Sequence, residues 1–139
     1  MENVLTDAGI WFALFDPRDQ YAVQADEKAE YLDVLHIVMP WPILYEILRT
    51  RLVRNAHSLR RFENYLGSHN ITYLEDNSYR DDALRLTFDS SLNRSRPLSF
   101  VDCVLRLMLN DVNIKIDYLL TFNESDFADV CRTRGITLI

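Results

Sequence analysis

Short apolar segments alternate with longer amphipathic segments along the whole chain. Continuous apolar runs of four or five residues, bounded by polar or turn-forming residues, are typical of buried strands. Five short segments with a mainly apolar centre are predicted as strands: residues 3–7, 36–39, 71–74, 118–121 and 136–139. The first ends on Asp7, which places a carboxylate at the end of a predicted strand.

The segments between them have helical spacing of apolar residues. Helices are predicted over residues 10–15, 20–35, 42–48, 58–66, 79–92 and 99–109, with a short one from Asp126. Pro42 suits the first turn of its helix, where its missing N–H costs nothing. Strands and helices that alternate in this way predict an α/β fold, a mainly parallel sheet covered on both faces. In such sheets the ligand site lies beyond the carboxyl ends of the strands.

Length and composition indicate one domain. The chain has 139 residues, of which 48% are hydrophobic, which is enough for one core and too little for two ordinary domains. It contains three glycines, and we find no repeat, linker or glycine-rich phosphate loop. We therefore expect a single domain over residues 1–139.

Cysteine usage and the first residues indicate the compartment. Cys103 and Cys131 lie in apolar or helical stretches without metal-ligand spacing to a histidine, so each is interpreted as a buried, reduced thiol. Acidic Glu2 and Asp7 near the start favour neither a signal peptide nor a membrane span. We expect the protein in the cytoplasm of a bacterium or archaeon.

The net charge is −6, which argues against a protein that coats nucleic acid through overall positive charge but permits a local basic track. Two groups of arginines could form one. The first follows Glu46 and the second precedes Asp102: Arg49, Arg51, Arg54, Arg60 and Arg61, then Arg94 and Arg96. The planar guanidinium suits phosphate oxygens. We predict RNA contacts for Arg49, Arg94 and Arg96, with solvated helix faces as the alternative for these arginines.

Two aspartates stand where a strand ends or a helix begins. Asp7 follows the first strand, where its carboxylate would reach the ligand-binding edge of the sheet. An ordinary N-cap of the next helix explains it equally well. Asp102 comes three residues after Ser99, a spacing that fits a capping box as well as a metal ligand at a helix N-terminus.

Glu46 and Asp126 complete the acidic set. Glu46 lies on the flank of the apolar face of its helix, and an exposed pairing with Arg49 is the alternative reading. Asp126 follows a strand and a turn and could also be a plain N-cap. Asn123 and Glu124 compete with Asp126 for the same role, and the sequence does not choose among them.

The four acids share one feature: each falls at a strand end or early in the helix that follows. Carboxylates gathered at one edge of a sheet repel each other unless protons or cations neutralise them. Oxygen ligands without cysteine or histidine favour Mg²⁺ or Mn²⁺ over zinc. Phosphodiester hydrolysis suits such a site, with Asp7 and Asp102 as the main metal ligands and Glu46 and Asp126 binding a second ion or orienting the water.

At these residues the chain resembles the PIN-domain ribonucleases, and among them the VapC-type toxins of toxin–antitoxin pairs. Four matching pieces carry the resemblance in the order of the family: residues 5–9 with 13–16, then 42–46, 98–102 and 119–127, which contain Asp7, Glu46, Asp102 and Asp126. The resemblance implies a three-layer α/β/α sandwich, Mg²⁺- or Mn²⁺-dependent endoribonuclease activity, frequent homodimers and inhibition by a small antitoxin. Asn123 stands where many relatives carry an acid.

Two alternatives belong to other classes. A phosphatase of the haloacid dehalogenase type also uses an aspartate after its first strand, but it needs a second acid two residues later, where this chain has Gly9. A PIN-like domain that has lost catalysis and acts as a binding or assembly module is the other. Asp7, Glu46 and Asp102 argue against it, whereas Asn123 leaves it open.

Overall fold

The computed structural model describes residues 1–139 and contains one five-stranded sheet. All its strand pairs are parallel, and the strand order is β3-β2-β1-β4-β5. The strands are β1 (Asn3–Thr6), β2 (His36–Pro40), β3 (Ile71–Leu74), β4 (Tyr118–Leu120) and β5 (Thr137–Leu138). All five predicted strands are therefore present, and the predicted α/β/α sandwich is confirmed.

Eight α-helices connect and cover the strands. They are α1 (Ala8–Phe15), α2 (Ala22–Val34), α3 (Trp41–Ile47), α4 (Thr50–Val53), α5 (Ala56–Ser68), α6 (Arg80–Phe88), α7 (Phe100–Asn110) and α8 (Ala128–Arg134). Right-handed crossovers place α1–α5 on one face of the sheet and α6–α8 on the other. Contacts within each group agree, since α1 packs on α2, α3 and α5, and α7 packs on α6 and α8.

Three segments differ from the predicted helices. Helix α4 was not predicted because its four residues are too few to show a period. The helix predicted over 79–92 is divided into a 3-10 turn, α6 and a π-helical turn over Asp89–Asn93. The helix predicted from Asp126 begins at Ala128, and Asp126 instead ends a 3-10 turn that starts at Glu124.

The strand order reverses at β1, which lies between β2 and β4. The sheet is the centre of the core, and Val4, Leu5, Ile37 and Leu119 are fully buried in it. A reversal point of this kind opens a crevice at the carboxyl ends of the two neighbouring strands. Residues that directly follow β1 and β4 therefore line the edge where a ligand would bind.

An aromatic cluster fixes α1 against α5. Trp11 packs edge-on against Phe62 and Tyr65, with ring centroids 5.7 and 5.3 Å apart. Its indole N–H donates to the hydroxyl of buried Thr6 at 3.0 Å. Edge-to-face aromatic pairs add to the stabilisation from burial, so the start of α1, next to Asp7, is held firmly.

Both cysteines are buried and unpaired, as the sequence predicts. Burial raises the pKa of the Cys131 thiol to about 11, which keeps it protonated at neutral pH. None of the helices has the length and apolar character that crossing a membrane requires.

Asp129 connects α8 to α7 through a two-pronged ion pair. Its carboxylate oxygens accept from the two terminal nitrogens of the Arg106 guanidinium at 2.7 and 2.8 Å. Arg96 binds the same carboxylate at 3.2 Å. The hydrogen bonds from Arg106 and Arg96 lower the pKa of Asp129 far below its usual range.

We expect Asp129→Asn to lower the free energy of unfolding by about 1–2 kcal/mol at pH 7, the usual worth of charged hydrogen bonds after discounting for partial exposure. Because the folded-state pKa of Asp129 is depressed, its stabilisation is present above the unfolded pKa of ~3.9 and is lost as the pH falls through the folded value. Urea unfolding at several pH values measures this.

The matched control is Asp82→Asn, which removes an exposed carboxylate paired with Arg85 within α6. It should change stability by less than ~0.5 kcal/mol. Equal effects of the two substitutions would show that the Asp129 pair does not hold α7 and α8 together.

Candidate active site

Asp7 lies directly after β1 and is the N-cap of α1. Its Oδ1 accepts from the backbone N–H of Ala8 at 2.7 Å, and its Oδ2 accepts from the Thr121 hydroxyl at 3.0 Å. These two bonds fix the carboxylate and leave about two of its four lone pairs free. Asp7 is 6% exposed, and this burial raises its pKa. Asp7 is therefore an N-cap, one of its two interpretations from sequence, and its place after β1 is compatible with the other, a site residue, which stays a prediction.

Thr121 is a positioning residue that the sequence analysis did not single out. It is buried, follows β4 directly, and donates its hydroxyl to Asp7 while accepting the backbone N–H of Asn123 at 3.0 Å. The signal for it in the sequence is a polar residue at the end of an apolar strand. That signal carries meaning only when β4 is known to lie beside β1.

Glu46 comes from α3, which begins where β2 ends. Its pKa is raised, chiefly by burial and then by the negative charges of Asp7 and Asp102, while the charge of Arg49 lowers it. Arg49 uses its Nε to donate to the backbone carbonyl of Glu46 at 3.1 Å. The Glu46 carboxylate therefore lies within range of the charges of Asp7 and Asp102 as well as that of Arg49.

Asp102 lies in the first turn of α7, where Ser99 is the N-cap. The backbone N–H of Asp102 donates to the Ser99 hydroxyl at 3.1 Å. Burial raises the pKa of the Asp102 carboxyl most, the charge of Asp126 raises it further, and hydrogen bonds with Ser99 lower it. The predicted capping arrangement is thus present, and it holds Asp102 near the other acids.

Asp126 is half-buried at the end of the 3-10 turn after β4. Its side chain caps no helix, so the N-cap alternative for it is wrong. Its backbone carbonyl accepts from Arg106 at 2.8 Å and from Arg96 at 3.3 Å, which fixes the turn. Asn123 and Glu124, its competitors, are exposed.

Electrostatic coupling links all four acids. The charges of Asp102 and Asp126 raise the pKa of Asp7, and those of Asp7 and Asp102 raise the pKa of Glu46. Each of the four carboxylates is therefore close enough to at least one other for their charges to interact. At neutral pH the cluster is short of positive charge, which a cation or bound protons would supply.

The donor set fits a hard divalent cation in its chemistry, because it consists of carboxylates with one of them, Asp7, buried and oriented. In this structure no three acidic, histidine or cysteine side chains converge tightly enough to form a preformed metal site. Glu46, Asp102 and Asp126 are the half-buried members of the set.

The three arginines predicted to bind RNA differ in their surroundings. Arg49 is exposed beside Glu46. Arg94 pairs with Asp89 at 2.9 Å, and Arg96 binds Asp129. RNA contacts by Arg49, Arg94 and Arg96 stay predictions, and Arg94 and Arg96 would have to share their carboxylate partners with phosphate.

The parallel sheet and the helices on both of its faces form a PIN-like α/β/α fold. The acidic residues lie at the strand ends of this fold. A solved structure with this fold is VapC20 of Mycobacterium tuberculosis, a toxin that cleaves the sarcin–ricin loop; it superposes with a TM-score of 0.69 at 16% sequence identity. The match covers 91% of this chain and 94% of VapC20. No protein-family model matches the sequence, and no curated protein matches it. At this identity the two proteins share a fold.

Proposed function

We propose that the protein is a metal-dependent endoribonuclease that hydrolyses RNA phosphodiester bonds and is the toxin of a type II toxin–antitoxin pair. The observation that carries the proposal is the coupled cluster of Asp7, Glu46, Asp102 and Asp126 at the reversal point of the sheet. The fold shared with a toxin that cleaves the sarcin–ricin loop supports it.

In this proposal Asp7 and Asp102 hold the ion, and Glu46 and Asp126 bind a second one or orient the attacking water. When bound, Mg²⁺ or Mn²⁺ would supply a Lewis acid that polarises the phosphate and lowers the pKa of that water. Thr121 keeps the Asp7 carboxylate fixed through its hydrogen bond. The raised pKa of Glu46 makes it a better proton acceptor than an ordinary glutamate.

The proposed partners follow from the same function. RNA is the substrate, a small antitoxin protein blocks the acidic site, and the protein forms a homodimer in the cytoplasm. A toxin that cleaves cellular RNA needs such an inhibitor while the cell grows.

We expect the purified protein to cleave single-stranded or stem-loop RNA with Mg²⁺ or Mn²⁺, and to lose the activity in excess EDTA. The reason is that like-charged carboxylates at one site need a cation before they can approach an anionic phosphate. Gel analysis of end-labelled RNA measures it. Undiminished cleavage in EDTA would contradict the metal mechanism.

A catalytically weak PIN-like domain that serves binding or assembly is the second candidate. Two observations favour it: no three ligands are preformed for a metal, and Asn123 is an exposed amide at a site-adjacent turn. Calorimetric titration with Mg²⁺ and Mn²⁺ separates the two functions. Absence of both metal binding and RNA cleavage would support the binding module.

A further inference from the structure

One arginine of α7 connects two of the four acids. Arg106 lies four residues after Asp102 in the same helix, so the two side chains lie on the same helix face. The guanidinium of Arg106 donates one N–H to the backbone carbonyl of Asp126 at 2.8 Å. The helix that carries Asp102 is therefore hydrogen-bonded directly to the turn that carries Asp126.

Asp129 fixes the orientation of this arginine. The two terminal nitrogens of Arg106 donate to its two carboxylate oxygens at 2.7 and 2.8 Å, which holds the planar guanidinium in one orientation. The Arg106 side chain is 17% exposed, and both of its terminal nitrogens already have acceptors within the protein. Arg106 is therefore placed to hold the turn and not to bind a phosphate.

Arg96 holds the same turn through separate hydrogen bonds. One terminal nitrogen of its guanidinium donates to the backbone carbonyls of Ser125 and Asp126 at 3.2 and 3.3 Å. The residue before it, Ser95, has a φ of 53°, which is unfavourable for residues other than glycine and persists only where the surrounding structure requires it. The loop before α7 thus adopts a strained conformation while Arg96 contacts the turn.

The turn needs this support because it brings like charges together. After burial, which is the largest cause, the negative charge of Asp126 raises the pKa of Asp102 and that of Asp7. The pKa of Arg106 is raised, chiefly by its hydrogen bond with Asp129, and the charge of Asp126 contributes. The positive charge of Arg106 therefore attracts the carboxylate that the neighbouring acids repel.

We propose that Arg106, assisted by Arg96, is a positioning residue that keeps the Asp126 carboxylate beside Asp102, so that both act at one metal centre. The proposal rests on the proposed function. In this role neither arginine touches the ion or the RNA, because both act through the backbone of the turn. The hydrogen bonds from the arginines replace the helix cap that Asp126 lacks.

Arg106→Lys tests the link in the full-length protein. Lysine keeps a positive charge on an aliphatic stem, but one ammonium group cannot replace the planar fork that binds Asp129 and the Asp126 carbonyl together. In EDTA we expect the backbone amides of Asp126 and Phe127, which donate within the turn, to exchange with D₂O about tenfold faster than in wild type. Amides of β1 and β4 should change much less. Hydrogen exchange followed by NMR measures both.

The second measurement is the affinity for Mn²⁺ by titration calorimetry, in a double-mutant cycle with Asp126→Asn. Arg106→Lys alone should weaken Mn²⁺ binding about tenfold, the lower end of the usual cost of losing a supporting contact to a metal ligand. In the Asp126→Asn background it should have no further effect, because the carboxylate through which it acts is gone. The matched control is Arg132→Lys, at an exposed position of α8, which should change neither exchange nor affinity.

Arg96→Ala separates the two roles considered for that arginine. As a positioning residue, Arg96 should speed exchange in the turn when removed and leave the salt dependence of oligouridylate binding in EDTA unchanged. A salt slope smaller by about 0.7 with unchanged exchange in the turn would assign Arg96 to a phosphate contact and overturn its part in the proposal.

Three results would overturn the role of Arg106: equal acceleration of exchange in the turn and the sheet, an unchanged Mn²⁺ affinity, or an equal loss of affinity in the Asp126→Asn background. Failure of the nuclease is recognised separately, since a wild type that neither binds Mn²⁺ nor cleaves RNA contradicts the proposed function. Exchange in EDTA then decides alone: acceleration confined to the turn retains the positioning role of Arg106, and uniform acceleration removes it.

Discussion

Asp7→Asn should abolish RNA cleavage, lowering kcat/KM by at least ~100-fold, because loss of a mere supporting contact to a metal ligand already costs about 10–100-fold. Asparagine keeps the size of the side chain and can still accept the N–H of Ala8. It removes the negative charge in the most buried part of the cluster. Initial rates on end-labelled RNA at saturating Mg²⁺ measure the effect.

Two further variants make this result specific. Asp26→Asn removes an exposed aspartate of α2 and should leave kcat/KM unchanged. Thr121→Val removes the hydroxyl that holds Asp7 and should lower kcat/KM by roughly 10–100-fold, the usual cost of losing such a partner. If Asp7→Asn cleaves RNA at the wild-type rate and has a wild-type far-UV circular dichroism spectrum, Asp7 is not an active-site residue.

Magnesium should stabilise the wild-type protein by about 2.7 kcal/mol at a hundredfold excess over its Kd, or roughly 10 °C in Tm for a chain of this size. Asp102→Asn should be stabilised less because one ligand has lost its charge. In EDTA at pH 7 this variant should melt higher than wild type, since burial and the charge of Asp126 disfavour the ionised carboxylate. Thermal melts with and without Mg²⁺ measure both effects.

The pH dependence of stability checks the expected sign of the change in Tm of Asp102→Asn. The folded-state pKa of Asp102 is raised, so the folded protein holds this proton more tightly than the unfolded chain. The resulting stability is present below the unfolded pKa of ~3.9 and is lost as the pH rises through the folded-state pKa. The advantage of Asp102→Asn should therefore be largest at neutral pH and disappear toward pH 4.

The opposite result has an equally clear meaning. Asp102 also belongs to the cap of α7 with Ser99. Loss of a cap typically costs ~1 kcal/mol. If Asp102→Asn melts below wild type in EDTA and Mg²⁺ shifts neither protein, Asp102 is a structural cap and not a metal ligand.

The sequence by itself determined the elements and their order. Apolar runs such as residues 37–39 have no polar face and are buried as a strand, and the long segments between the strands are amphipathic. Buried strands that alternate with amphipathic helices are typical of a parallel sheet covered by helices on both faces. Residues with strong local signals, such as Pro at position 42 and Ser99 before α7, were placed correctly for the same reason.

Tertiary structure decided which polar groups meet. Thr121 and Asp7 are 114 positions apart in the sequence, and only the pairing of β1 with β4 brings their side chains into contact. Arg96, for which an RNA contact was predicted, likewise binds Asp129 of α8, 33 positions further along the chain. Helical and strand periodicity specify which face of an element is buried, whereas long-range contacts depend on the strand order. For that reason the positions of the acids at strand ends and early helix turns could be predicted, and the contact between Thr121 and Asp7 could not.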